Sequence, residues 1–162
     1  MDAFQRDIVG LLPRLRRLAR SLCRNAADAD DLVQTAVERA LARRGQWRAG
    51  TRLDWWIMRI MRNAFIDDVR KSGRVVAVEP QDLHRAPDPS VADGAMRAEA
   101  LAVDQAMKRL PGDQRLAIAL VLVEGYSYAE AAEALELPPG TLASRVARGR
   151  EALIADLGGL PA

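Results

Sequence analysis

Through the first two dozen residues Phe4, Ile8, Leu11, Leu12, Leu15, Leu18, Ala19 and Leu22 recur every three or four positions, one face of an α-helix. Pro13 within this run predicts a kink or the first turn of a second helix. A turn at Asn25–Asp28 leads to a helix running to about Arg44, capped by Asp28 or Asn25, with Leu32, Ala36 (or Val33), Ala40 and Leu41 as its buried stripe. After the loop 45–50, Thr51 is placed to cap a third helix reaching Lys71. Its core face is Leu53, Ile57, Ile60, Ala64 and Val69, with Trp56. Its other face mixes Trp55, Arg59, Arg62, Asn63, Arg70 and Lys71.

Periodicity lapses between Ser72 and Gly94, where three prolines and scattered acids predict a flexible linker, with Val75–Val78 docking briefly on a domain surface. Helical spacing resumes at about Ala95. Met96, Ala100, Val103, Met107 and Leu110 share a face that ends at Leu110-Pro111-Gly112. Asp113 then caps a helix whose apolar face is Leu116, Leu120 and Val123. The chain is therefore expected to be all-α: two small helical domains, 1–74 and 95–162, joined by a linker at 75–94.

The stretch 124–150, EGYSYAEAAEALELPPGTLASRVARGR, reads as helix, tight turn, helix. Ser127 with Glu130 three residues on is a capping-box pattern, and Pro138-Pro139-Gly140 stops one helix and starts the next. In the second helix Leu142, Val146, Gly149 and Leu153 fall on one face. Thr141, Ser144 and Arg148 lie roughly opposite, with Arg145 and Arg150 on the flanks. A buried apolar face backed by hydroxyls and arginines suits a recognition helix in the major groove, where an arginine can make a bidentate contact to guanine. The same pattern also fits an amphipathic hairpin with a solvated arginine face.

Composition narrows the classes. Of 162 residues 49% are hydrophobic and only 4% aromatic, which favours a helical core of Leu, Ala, Val and Ile over a sandwich or barrel. No apolar run is long enough to span a bilayer, and the N-terminus has no cationic region before its apolar residues, so a soluble, cytoplasmic protein is expected. One cysteine, Cys23, and one histidine, His84, give neither a disulfide nor a usual metal site. Cys23 reads as a core-boundary residue and His84 as solvated. No metal, no cofactor and no catalytic residue is expected, and an enzyme is the weakest class.

The net charge of +2 is unevenly spread. Residues 1–75 hold 16 Lys and Arg against 9 Asp and Glu, whereas residues 111–162 hold 4 against 7. The basic half is not the half with the helix-turn-helix, which is unexpected for a repressor that depends on one DNA-binding module.

Four segments in order, AADADDLVQTAVERAL (26–41), RLDWWIMRIMRNAFIDDVRK (52–71), LPGDQR (110–115) and EGYSYAEAAEALELPPGTLASRVARGREAL (124–153), resemble the sigma-70 family of bacterial transcription initiation factors, in its small two-domain extracytoplasmic-function (ECF) class. The resemblance implies a region 2 domain that docks on core RNA polymerase and captures the minus-10 element, and a region 4 domain that reads the minus-35 element. It assigns Asp30, Asp31, Leu32, Val33 and Gln34 to the coiled coil of the polymerase beta-prime subunit. The loop 45–51 and the helix carrying Trp55, Arg59, Arg62, Asn63, Asp67, Arg70 and Lys71 fall to melted minus-10 DNA, where bases stack on aromatics and cations follow phosphates. Thr141, Ser144, Arg145 and Arg148 fall to the minus-35 duplex. The sequence departs from the family at Ala143, where a cation is common, and at Gly149. The implied partners are core polymerase (beta-prime and beta subunits), promoter DNA and an anti-sigma factor, for a stress or envelope-signal regulon. The alternative is a LuxR-type regulator with the same helix-turn-helix behind a sensing domain.

Overall fold

The computed structural model describes residues 1–72 and 94–158, and every regular element among them is helical. Residues 75–93 of the expected linker, with Val75–Val78 and His84, lie outside the described residues, and Gly94 already belongs to a helix. The N-terminal half is three helices, α1 (Ala3–Leu22), α2 (Ala26–Ala42) and α3 (Leu53–Ser72), each packed on the other two. The C-terminal half comprises α4 (Gly94–Arg109), α5 (Gly112–Ile118), α6 (Tyr128–Leu135) and α7 (Pro139–Asp156), with α7 packed on the other three.

α1 does not break at Pro13. The proline removes only the amide that would meet the Val9 carbonyl, and both Val9 and Pro13 lie on the exposed side, where water can replace the lost bond. Asp2 and Gln5 cap α1 reciprocally, a D-x-x-Q pattern visible in the sequence. Asn25 caps α2 by accepting from the Asp28 amide at 2.8 Å. Val33 and Ala36 are both buried, and Ala29 with them, while Leu41 is 42% exposed and off the stripe. Thr51 does not cap α3; its hydroxyl donates to the Arg48 carbonyl and closes the preceding loop. Asp113 does not cap α5, which starts one residue earlier at Gly112. The Asp113 carboxylate faces Arg145 at 3.5 Å.

Two helices depart from single-stripe patterning in opposite directions. α4 exposes Met96, Ala100 and Val103 and buries only its last turn, because that turn alone packs beneath α1 and α7. α3 buries Met58, Met61 and Phe65 besides Ile57, Ile60 and Ala64. It lies between α2 on one side and α5 and α6 on the other, so it has two buried faces. The two halves therefore share one continuous core rather than standing apart.

The hairpin follows its sequence closely. Ser127 accepts from the Glu130 amide at 3.0 Å while the Glu130 carboxylate accepts from the Ser127 amide at 3.2 Å, completing the capping box. Leu142, Val146, Gly149 and Leu153 are the buried residues of α7. Gly149 is required by proximity: a Cβ there would sit 2.7 Å from Ile118 Cγ1. The departure at position 149 is thus a packing feature of the α5–α7 contact.

We predict that Gly149→Ala lowers unfolding stability by about 1–3 kcal/mol through overpacking. Gly140→Ala, with open space around it, leaves stability unchanged or slightly raised. Chemical denaturation of the two variants checks the pair.

Candidate nucleic-acid interface

α7 turns Thr141, Ser144, Arg148 and Arg150 outward, all exposed, along the stripe opposite its buried face. Arg145 is half-buried and held by Asp113 within the domain. Three of the four expected duplex-reading residues therefore form an open surface, and the fourth is engaged internally.

On α2, Asp30, Asp31 and Gln34 are exposed, with Gln34 bonded to Glu38 at 3.0 Å. Leu32 and Val33 are core residues, each 7% exposed, so they position this surface without presenting side chains on it.

The α3 face is different. Asn63, Arg70 and Lys71 are exposed, and Asp67 pairs with Arg39 at 3.4 Å. Arg59 and Arg62, however, meet Glu136 of the hairpin turn at 3.3 and 3.7 Å. Trp55 is half-buried against the core, with the Arg52 guanidinium 4.1 Å from its ring centroid, so its face is already stacked. Trp47 and Trp56 both surround Phe4, at 5.3 and 6.2 Å between ring centroids, and serve the core.

Further contacts that sequence reasoning missed join the halves. Beyond α5 the chain makes a π-helical turn, Ala119–Val123, closed by the Glu124 amide on the Ala119 carbonyl. Val123, expected in the core, is 40% exposed as a result, and Leu122 is 56% exposed. The widened turn delivers Glu124 and Tyr126 to α1. The fully buried Glu124 carboxylate accepts from Arg14 at 3.3 Å and from Arg17 at 3.1 and 3.2 Å. Arg14 also donates to the Tyr126 hydroxyl at 3.1 Å, which donates to Asp54 at 3.3 Å. Arg52 bridges Asp54 at 2.7 Å and Glu130 at 3.1 Å.

Charge is held firmly in this cluster. Burial works against ionised Asp54, but the hydrogen bond and charge of Arg52, with help from Arg14, outweigh it and keep the carboxyl below its usual range. Burial and the Asp54 charge push the Tyr126 hydroxyl up, so it stays a neutral donor. Glu130 is lowered mainly by the Ser127 amide, then by the Ser127 hydroxyl and Arg52.

The deepest junction is Arg115, in the LPGDQR segment, 1% exposed. Its Nε donates to the Met107 carbonyl at 3.0 Å, and Nη2 to those of Lys108 and Leu110 at 3.0 and 2.8 Å. Nη1 donates to the Leu22 carbonyl. One guanidinium thus satisfies the C-terminal carbonyls of both α4 and α1, where helix dipoles favour a cation. Burial draws its pKa down to about 10, leaving it charged at neutral pH.

The two halves separately match known families. The Sigma-70 region 2 family matches residues 8–75, and Sigma-70, region 4 matches residues 100–153. The chain is 39% identical over 155 residues to the ECF RNA polymerase sigma factor EcfG of Rhodopseudomonas palustris, covering 95% of this chain and 84% of that protein. It belongs to the ECF sigma factors. A second relative, SigM of Mycobacterium tuberculosis, is 37% identical over 146 residues, 90% of this sigma factor and 72% of the relative. Among solved structures, the sigma factor RpoE of Bartonella quintana, in complex with the anti-sigma factor NepR, superposes with a TM-score of 0.78 at 31% identity over 98% of both chains. The LuxR-type alternative is unsupported, since region 2 occupies the place of the sensing domain.

For this sigma factor, Arg115→Lys keeps the charge but cannot reproduce the planar fork, so at least one buried carbonyl loses a charged donor. We predict a loss of about 2–3 kcal/mol in stability, read from urea denaturation.

Proposed function

We propose that the chain is an alternative sigma factor in full operation: it binds core RNA polymerase, directs initiation at its own promoters, and is held inactive by an anti-sigma factor. It would act as an initiation factor on polymerase, not as a catalyst. The observation that carries this is the pairing of two surfaces in one family chain. An exposed acidic edge on α2 suits a polymerase subunit, and an exposed Thr/Ser/Arg stripe on α7 suits duplex DNA. We assign region 2 to residues 1–74 and region 4 to residues 95–162. Asp30, Asp31 and Gln34 then meet the beta-prime subunit, with Leu32 and Val33 holding that helix in place. Arg59, Arg62, Asn63, Asp67, Arg70 and Lys71, with Trp55 beside them, serve the minus-10 strand. Thr141, Ser144 and Arg148 serve the minus-35 duplex, Arg145 joining them if it leaves Asp113.

The anti-sigma reading is supported by RpoE, which was solved with NepR. Exposed Met96 and Val103 on α4, and Leu122 and Val123 beside the interdomain contacts, are apolar surface that such a partner would cover.

A run-off transcription assay with core polymerase tests the proposal: initiation from a cognate promoter should depend on this chain, and initiation indifferent to it would refute the proposal. Asp31→Arg should fold normally by circular dichroism yet be lost from a core-polymerase pull-down, because the side chain is exposed and supports no core contact. Arg148→Ala should lower promoter use by about 1–3 kcal/mol and flatten discrimination across a minus-35 mutant series, as expected for a bidentate guanine contact.

A further inference from the structure

Arg145 stands where the buried and exposed faces of α7 meet. It precedes buried Gly149 by four residues and outward Arg148 by three, so its side chain borders both faces. The structure turns it toward α5. The missing Cβ at Gly149 lets α5 come close at this edge: a Cβ there would lie 2.7 Å from Ile118 Cγ1 and 3.7 Å from Gln114 Cβ. Asp113, next to Gln114, is thereby carried to Arg145, with 3.5 Å between Oδ2 and Nε. Arg148 and Arg150 are exposed, and no described carboxylate pairs with either. Ala143 and Ala147 bring no side-chain donor. Of the three arginines on α7, the one at the edge of the duplex-reading stripe is held by an acid.

We infer that Asp113 is a specificity-determining residue of region 4: it keeps Arg145 out of the base-reading set, so that arginine reading of the minus-35 duplex rests on Arg148. The inference rests on the reading of α7 as the minus-35 helix. The ion pair itself is weak, since the Arg145 side chain is 31% and that of Asp113 52% exposed, and water screens both. Its effect on DNA comes from what release leaves behind. An Arg145 that swings out to a base edge strips the Asp113 carboxylate of its cation, beside the stripe that meets the phosphates. That repulsion opposes every pose in which Arg145 reads a base. Poses that use Thr141, Ser144 and Arg148 leave the pair intact. Discrimination of this kind sets an unfavourable element against competing sites, alongside the favourable contact at the right one. Asp113 acts through Arg145 and is a positioning residue.

The test is Asp113→Asn in the full chain, assembled with core polymerase. Asparagine keeps an oxygen for the Gln114 amide, from which Asp113 accepts at 3.0 Å, and removes only the charge. The readout is transcription from a barcoded promoter library randomised through the minus-35 and minus-10 elements, so no cognate sequence need be known beforehand. Asp113→Asn should gain a preference for guanine at one further minus-35 position, on the order of tenfold, with an unchanged urea midpoint. Arg145→Gln alone should keep the wild-type preferences, and Asp113→Asn combined with Arg145→Gln should lose the added one. Glu151→Gln removes the same charge from an exposed position of α7 and should raise output without a new preference. A wild type that selects no minus-35 sequence overturns the reading of α7 itself, and the inference with it. A wild type that selects one, beside an Asp113→Asn variant with identical preferences, overturns the inference alone. So does an added preference that survives Arg145→Gln or is reproduced by Glu151→Gln, and so does a wild-type preference lost in Arg145→Gln.

Discussion

A guanidinium buried among four backbone carbonyls holds this molecule in its present shape. Arg115 has no carboxylate partner in its hydrogen-bonded shell; it bonds the ends of two helices, one from each half. Taking such a charge out of water is costly, and removing an acceptor would leave it uncompensated. The ends of α4 and α1 must therefore stay together for Arg115 to remain buried. Its neighbourhood follows from that. A Cβ at Gly112 would stand 3.4 Å from the Phe65 ring, and that ring lies beneath the guanidinium. α3 consequently gains a second buried face.

Once α5 is fixed against α1, the π-helical turn sets the direction of everything after it. The turn places Glu124 and Tyr126 on α1, the capping box places Glu130 near Arg52, and the left-handed turn places Glu136 between two arginines of α3. The same geometry turns the Thr/Ser/Arg stripe of α7 to solvent. A helix-turn-helix usually faces DNA with α7 alone. Here its other edge is used as well, against the chain's own basic half. The uneven charge reflects both partners of that basic surface: nucleic acid in the proposed function and the acids of region 4 in the structure.

Much of this was legible in the sequence, and the exceptions have physical causes. Periodicity located all the helices and gave the buried face of α7 residue for residue, because a helix packed on one side records that side in its pattern. It failed at α3, where a helix between two neighbours buries Met58, Met61 and Phe65 off the predicted stripe. It failed at α4, where apolar Met96 and Val103 stay outside. The capping box at Ser127 is local chemistry and was readable. Thr51 and Asp113 had the right residue type for caps, but the Thr51 hydroxyl went to the preceding loop at the Arg48 carbonyl, and the Asp113 carboxylate faces Arg145 of α7. The exposed members of the candidate surfaces were predictable from helical phase. Occlusion of Arg59 and Arg62 was not, since it depends on a contact across more than seventy residues of chain. The available signals were the opposite charge of the halves and a glutamate where the turn favours glycine.

The central claim is that the two halves of the chain form one body, held together by Arg115 and by carboxylates of the C-terminal half on arginines of the N-terminal half. Pulsed electron paramagnetic resonance measures it directly, with spin labels at Glu38→Cys on α2 and Glu151→Cys on α7 in a Cys23→Ser background. One narrow distance distribution is expected in the free chain. A free chain that shows a broad, long distribution would contradict it.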